Sequence, residues 1–192
     1  MANPSCTSSG GVNGKLVLKL LPFRMDCYQV TFSFLVENRS RVGDMLITQH
    51  GELKQLRVAE GGMEGMAQVW KGIGKVRLVW GGENVREDWT ELPPALSAPE
   101  PFLLAVRWRK LNPRYFEELN LLSLPIPRVV PASATVVGGQ RVEVGAGGFD
   151  CWVLALEGWK ATLWVSKKDG VVPKFVEDNL SYELSGRRFW HQ

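Results

Sequence analysis

Histidine and cysteine are nearly missing from this chain: two of the first and three of the second in 192 residues. On those residue types most metal centres, thiol chemistry and general-base catalysis are built. Cys6, Cys27 and Cys151 are too few for a disulfide framework, and their spacing fits no zinc pattern. His50 falls in an expected hairpin turn and His191 stands beside the last residue, so both are expected in solvent. Asp26-Cys27 and Asp150-Cys151 set a carboxylate next to a thiol, which raises the thiol pKa, the wrong direction for a nucleophile. The glycine-rich pieces at 72–74 and 145–148 precede no helix that could hold a pyrophosphate. No catalytic residue, metal ligand or cofactor is therefore expected.

Long apolar runs are missing too. None approaches about 18 residues, so no membrane-spanning helix is expected. The start, MANPSCTSSGGVNG, has neither a basic n-region nor an apolar h-region and does not read as a signal peptide. Cys6 followed by Thr, Ser, Ser and two glycines resembles the tethering end of a bacterial lipoprotein, although Asn3-Pro4-Ser5 supplies no lipobox. Membrane association is expected only through such a tether. Charge of one sign is scarce as well: the formal net charge is +3. That argues against a nucleic-acid partner, which would need a concentrated basic face. Arg107, Arg109 and Lys110, and the pair Arg187–Arg188, read as a solvated rim.

What the chain does have is apolar and aromatic surface. Hydrophobic residues make up 45%, charged ones 22%, an ordinary globular balance, and there are eight tryptophans. The expected organisation is a flexible leader (1–14), one β-rich domain (15–186) and a short tail (187–192). In YQVTFSFLV, Tyr28, Val30, Phe32, Phe34 and Val36 alternate with polar residues, the period of a half-buried strand. Hairpins are expected at 44–49/53–58 and 66–70/75–80, with 84–89 following the Gly81-Gly82 turn. Residues 91–101 break the pattern. Ser97 and Glu100 fit a capping box with Pro99 in the first turn, predicting a helix over 97–111 with Leu104, Trp108 and Leu111 on one stripe. Asn112 with Pro113 and Glu117-Glu118 predicts a second short helix over 112–122, with Tyr115, Leu119 and Leu122 on its apolar side. Residues 125–131, with three prolines, read as an extended connector.

Strands at 134–137, 140–144, 150–156, 159–165, 171–177 and 181–184 follow, separated by turns such as GG, GAGG, EG and KDG. CWVLAL is apolar on both faces and so should be covered on both. Cys27 and Cys151 each begin an expected strand; they are either bridged, if the strands are neighbours, or two buried free thiols. The expected fold is mainly β: a strongly curved antiparallel sheet, or half-open barrel, covered by two short helices that form a lid at about 97–122.

The pieces LLAVRWRKL (103–111), VEVGAGGFDCWVLAL (142–156), ATLWVSKKDGVVPKF (161–175) and YEL (182–184) resemble bacterial exported proteins of the DUF3108 type. The likeness covers roughly the last hundred residues; the start of the helix reads Ala98-Pro99 where that type would have Asp-Pro. In architecture that family is similar to the LolA/LolB and LppX-like lipoprotein carriers, whose half-open barrel and helical lid hold acyl chains. The resemblance implies a periplasmic or cell-envelope protein, exported.

Three functional readings are on the table. In the first, Phe32, Phe34, Leu78, Trp80, Trp152, Leu163 and Trp164 line an inner face too large for the helices to fill, and Leu104 and Trp108 face it from the lid. A hydrophobic small molecule, lipid or acyl chain would occupy that cavity. In the second, the same residues pack together, and the chain is a structural or interaction protein of the envelope. The third is an enzyme built around Cys27 or Cys151.

Overall fold

The computed structural model describes residues 2–8, 14–24, 26–36, 39–48, 52–177 and 180–189; His50 and His191 lie outside them. The chain makes two wings of one sheet. The first is a meander of β1 (Ala2–Ser8), β2 (Gly14–Arg24), β3 (Cys27–Val36), β4 (Arg39–Thr48), β5 (Leu53–Glu60), β6 (Met63–Trp70), β7 (Lys75–Gly81) and β8 (Val85–Glu91). Then come a two-residue strand, β9 (Leu96–Ser97), and α1 (Pro99–Ala105), which tightens into a 3-10 turn over Val106–Trp108. The second wing is β10 (Phe116–Ser123), β11 (Arg128–Val144), β12 (Gly147–Glu157), β13 (Ala161–Ser166), β14 (Lys174–Glu177) and β15 (Leu180–Phe189). β15 pairs antiparallel with β1, so the wings join at mid-sheet in the order β8-β7-β6-β5-β4-β3-β2-β1-β15-β14-β13-β12-β11-β10-β9.

That order forces curvature. Laid flat, fifteen strands at a spacing of about 4.8 Å would put the two edges about 67 Å apart. Yet Glu91, at the end of one edge strand, is five Cα steps from Leu96, on the other edge, a reach of at most about 18 Å. The sheet therefore curls into a half-barrel until its edges approach. Phe34 on β3 and Tyr182 on β15 report the same curl: three strand spacings separate them along the sheet, about 14 Å, yet their ring centroids lie 5.2 Å apart.

Glycines shape the inner surface of the first wing. Phe32, Gly43, Val58, Gly65 and Trp80 stand opposite one another in successive registers. A Cβ on Gly43 would lie 2.5 Å from the Phe32 ring, and one on Gly65 would lie 2.5 Å from the Pro125 carbonyl oxygen. The two notches admit, respectively, an aromatic ring and the turn between β10 and β11. The core is one continuous cluster over both wings: Val30, Met45 and Leu56 on the first, Leu154, Leu163 and Phe175 on the second, with Phe102 and Val106 of the helical segment between them.

The mainly β, strongly curled sheet agrees with the expectation from sequence, but several details differ. Among the described residues only one short α-helix forms. Its N-cap is Ala98, with no side-chain cap, and Ser97 belongs to β9. The expected second helix is a strand: residues 116–123 pair along their whole length with β11, and Leu119 and Leu121 are buried at a spacing of two. Glu117 and Glu118 are therefore strand residues and not the charges of a helix start. Gly138-Gly139 is no turn either. β11 runs through it for seventeen residues, and the register shifts at Val136/Gly138, so the glycines mark a bulge. The expected connector at 125–131 is a tight turn followed by the start of β11. The expected leader contains β1, held between β2 and β15, and the expected tail contributes the last residues of β15. Cys27 and Cys151 are free: β3 and β12 are separated by β2, β1, β15, β14 and β13.

Candidate functional site

Side chains alternate across a strand, so the registers sort the expected lining residues by face. Leu154, Leu163, Phe175 and Tyr182 are mutually opposite and all buried, which defines the inner row of the second wing. Phe175 and Tyr182 stack at 4.4 Å. Trp152, two residues before Leu154, shares the inner face and is half-buried. Phe32 and Leu78 are buried on the first wing; Phe34 and Trp80 are half-buried against the same core. Leu104 and Trp108, from the helical segment, are also half-buried against it.

Trp164 is the exception among the nine. As the direct neighbour of Leu163 it points to the opposite, outer face, where its indole N–H donates to Gln140 at 2.9 Å and Lys174 lies over its ring. The two residues cannot line one cavity. The apolar run LWV hides this, because only the pairing partners reveal which of its residues face inward.

A polar latch holds the helical segment, and sequence reasoning missed it. Arg109, just past the 3-10 turn, donates from Nε and Nη2 to the two carboxylate oxygens of Glu117 on β10, at 3.2 and 3.1 Å. Its Nη1 reaches the Ala105 carbonyl, and its guanidinium lies over the Phe102 ring. The Tyr115 hydroxyl donates to the same Glu117 carboxylate, and burial and that carboxylate push the Tyr115 pKa upward. On the other side Trp108 stacks on Tyr28 of β3 at 6.1 Å. The segment is thus tied to both wings.

Three hollows among the described residues bear on the site. One of about 580 Å3 sits over β4–β7, with Gly43, Gly65 and Trp80 on its wall. A second, of about 410 Å3, lies where the two edges approach; Leu53, Val69 and Leu119 give it an apolar floor, while Lys71 and Arg109 stand on its rim. The third, about 600 Å3, is beside the turn after β13 and is lined by Phe149, Lys167 and Lys168. Of the nine expected lining residues, Trp80 alone touches one of these three.

The chemistry of the remaining groups is quiet. Burial pushes the Cys151 thiol up to about 11, with Asp150 adding to the shift. Among the described residues no group of three His, Cys, Asp or Glu side chains could hold a metal ion. Among the described residues no helix is long and apolar enough to cross a membrane. No family model, curated protein or solved structure matches the chain.

Proposed function

We propose that this chain is a non-enzymatic, exported domain of the cell envelope that binds a hydrophobic ligand, such as a lipid or acyl chain, in the hollow of its curled sheet. One observation carries the reading. Phe34, Trp80, Trp152, Leu104 and Trp108 all pack on the core and all remain incompletely covered. A sheet that curls around a seven-residue helix and one 3-10 turn leaves large inner rings with surface to spare. Each CH₂ of an alkyl chain laid against them would contribute about 0.8 kcal/mol. The resemblance of the 103–184 region to exported proteins of the DUF3108 type supports the envelope location.

A second reading has its own observation. Pro125 fills the notch at Gly65, and Phe102, Leu122 and Leu124 are fully buried, as in a packed core with no room for a guest. The chain would then be a structural or interaction protein. Native mass spectrometry after gentle purification separates the two. Mass adducts that exchange with added fatty acid favour the carrier; a bare polypeptide mass that stays bare in excess fatty acid removes it.

A further inference from the structure

Beyond the hollow, the free edge of β8 carries backbone groups that β7 leaves unpaired. β8 ends the sheet, and β7 is its one strand neighbour among the described residues. The Leu92 amide donates to the Gly74 carbonyl at 2.8 Å, which fixes the phase of that ladder. Bonded positions alternate in an antiparallel pair. Arg86, Asp88 and Thr90 therefore bond to β7, while Val85, Glu87, Trp89 and Glu91 turn their N–H and C=O groups to the open side. Every residue of 85–89 is exposed, and none lines the hollow where the two edges approach. A side chain covers one of the outward groups: the Asp88 carboxylate accepts from the Trp89 amide at 2.8 Å.

We infer that β8 pairs antiparallel with β8 of a second copy across a two-fold axis, with Val85 opposite Trp89, Arg86 opposite Asp88 and Glu87 opposite Glu87. Outward groups must meet outward groups, so the register can change only in steps of two residues. In this register Arg86 meets the partner's Asp88, and Asp88 the partner's Arg86, at the non-hydrogen-bonded positions where side chains stand closest. Neither residue has an ion-pair partner among the described residues, so both charges are available. Glu87 faces its own copy, but Arg77 already holds each Glu87 carboxylate with two bonds of 2.9 Å. Val85 and Trp89, 71% and 43% exposed, gain each other as cover. One step of register in either direction loses this match: the first sets Arg86 on Arg86, the second Asp88 on Asp88.

On pairing, the Trp89 amide passes from Asp88 to the partner's Val85 carbonyl, which frees Asp88 for the partner's Arg86. Asp88 thus guards the edge in the monomer and fastens it in the dimer. The charges also favour a second copy over a foreign strand. Arg77 and Arg86 balance Glu87 and Asp88, so the edge has no net charge with which to select an acidic or a basic partner. The pairing involves no ligand and none of the nine expected lining residues, so it does not rest on the carrier reading.

The test is sedimentation velocity of the full chain from about 10 µM to 1 mM, because an interface built on one strand pair is small and its complexes are weak. The native protein should show a reversible, concentration-dependent dimer. Arg86→Asp and Asp88→Arg should each weaken it at least about tenfold, since each sets like charges opposite one another. The double variant Arg86→Asp, Asp88→Arg re-forms the opposite-charge pairs and should restore the dimer, with circular dichroism unchanged throughout. A monomer over the whole range, a dimer indifferent to the single reversals, or a double variant as weak as the singles would overturn the inference. Native mass spectra count chains and adducts separately: a bare dimer supports this pairing and contradicts the carrier, and a lipid-loaded monomer does the reverse.

Discussion

Arg109 and Glu117 face each other as a two-pronged ion pair, 3.2 and 3.1 Å between donor and acceptor, and through it the end of the helical segment is fastened to β10. Both side chains are largely shielded, so removing one leaves the charge of the other uncompensated in a poorly solvated place. Arg109→Ala should cost about 1–3 kcal/mol in urea denaturation. Arg109→Lys should recover only part of that, because an ammonium cannot span both oxygens. A change within about 0.5 kcal/mol for Arg109→Ala would mean the pair does not hold the segment.

Gly65 tests the packing of the β10–β11 turn against the sheet. A methyl group there meets backbone atoms of Pro125, the nearest at 2.5 Å, and backbone cannot rotate aside. Gly65→Ala should destabilise by about 1–3 kcal/mol. Gly72, with nothing within 4 Å of its would-be Cβ, is the control, and Gly72→Ala should stay within about 0.5 kcal/mol. Equal effects of the two substitutions would contradict the close approach.

Tyr182 is fully buried, and its hydroxyl has no hydrogen-bond partner among the described residues. Burial pushes its pKa upward, with Glu177 adding to the shift. An unpaired buried hydroxyl is a cost, so deleting it strands no other group. Tyr182→Phe should leave stability unchanged or raise it by up to about 2 kcal/mol, with the stack on Phe175 preserved. A clear loss of stability would reveal a partner for the hydroxyl.

The Cys151 thiol gives a pH dependence with a definite sign. Its pKa lies at about 11 in the folded protein against an ordinary value of 9.0. Between those values the folded state holds a proton that the unfolded state has released. Its contribution is therefore complete below pH 9 and declines as pH rises toward 11. The stability difference between the native sequence and Cys151→Ala should narrow across that window. Alkylation of the folded protein at pH 8 should be slow at Cys151; fast labelling there would contradict its burial.

Much of the fold was legible because strand alternation and turn chemistry act locally. YQVTFSFLV displays its inner face in the sequence itself, and the positive-φ glycines 74 and 170 end up in turns where the sequence asked for them. Where reading failed, long-range pairing decided. The segment FEELNLLS carries apolar residues at helical and strand spacings alike, and β11 selects the strand. Gly138-Gly139 looks like a turn, and β12 pulls it into a continuous ladder with a bulge. The inner residues Phe32, Leu78 and Leu163 were recognisable as large apolar groups. Trp164 was not separable from Leu163 without its register, and nothing local links Arg109 to Glu117 or Gly65 to Pro125.

The proposal that the hollow takes an acyl chain is tested most directly by tryptophan quenching with a fatty acid brominated along its chain. Quenching should saturate in the native protein, survive Trp164→Phe and fall strongly in Trp80→Phe with Trp152→Phe, since the first indole faces outward and the other two face the interior. Absence of quenching in the native protein, or its loss on Trp164→Phe alone, would contradict an acyl-binding interior.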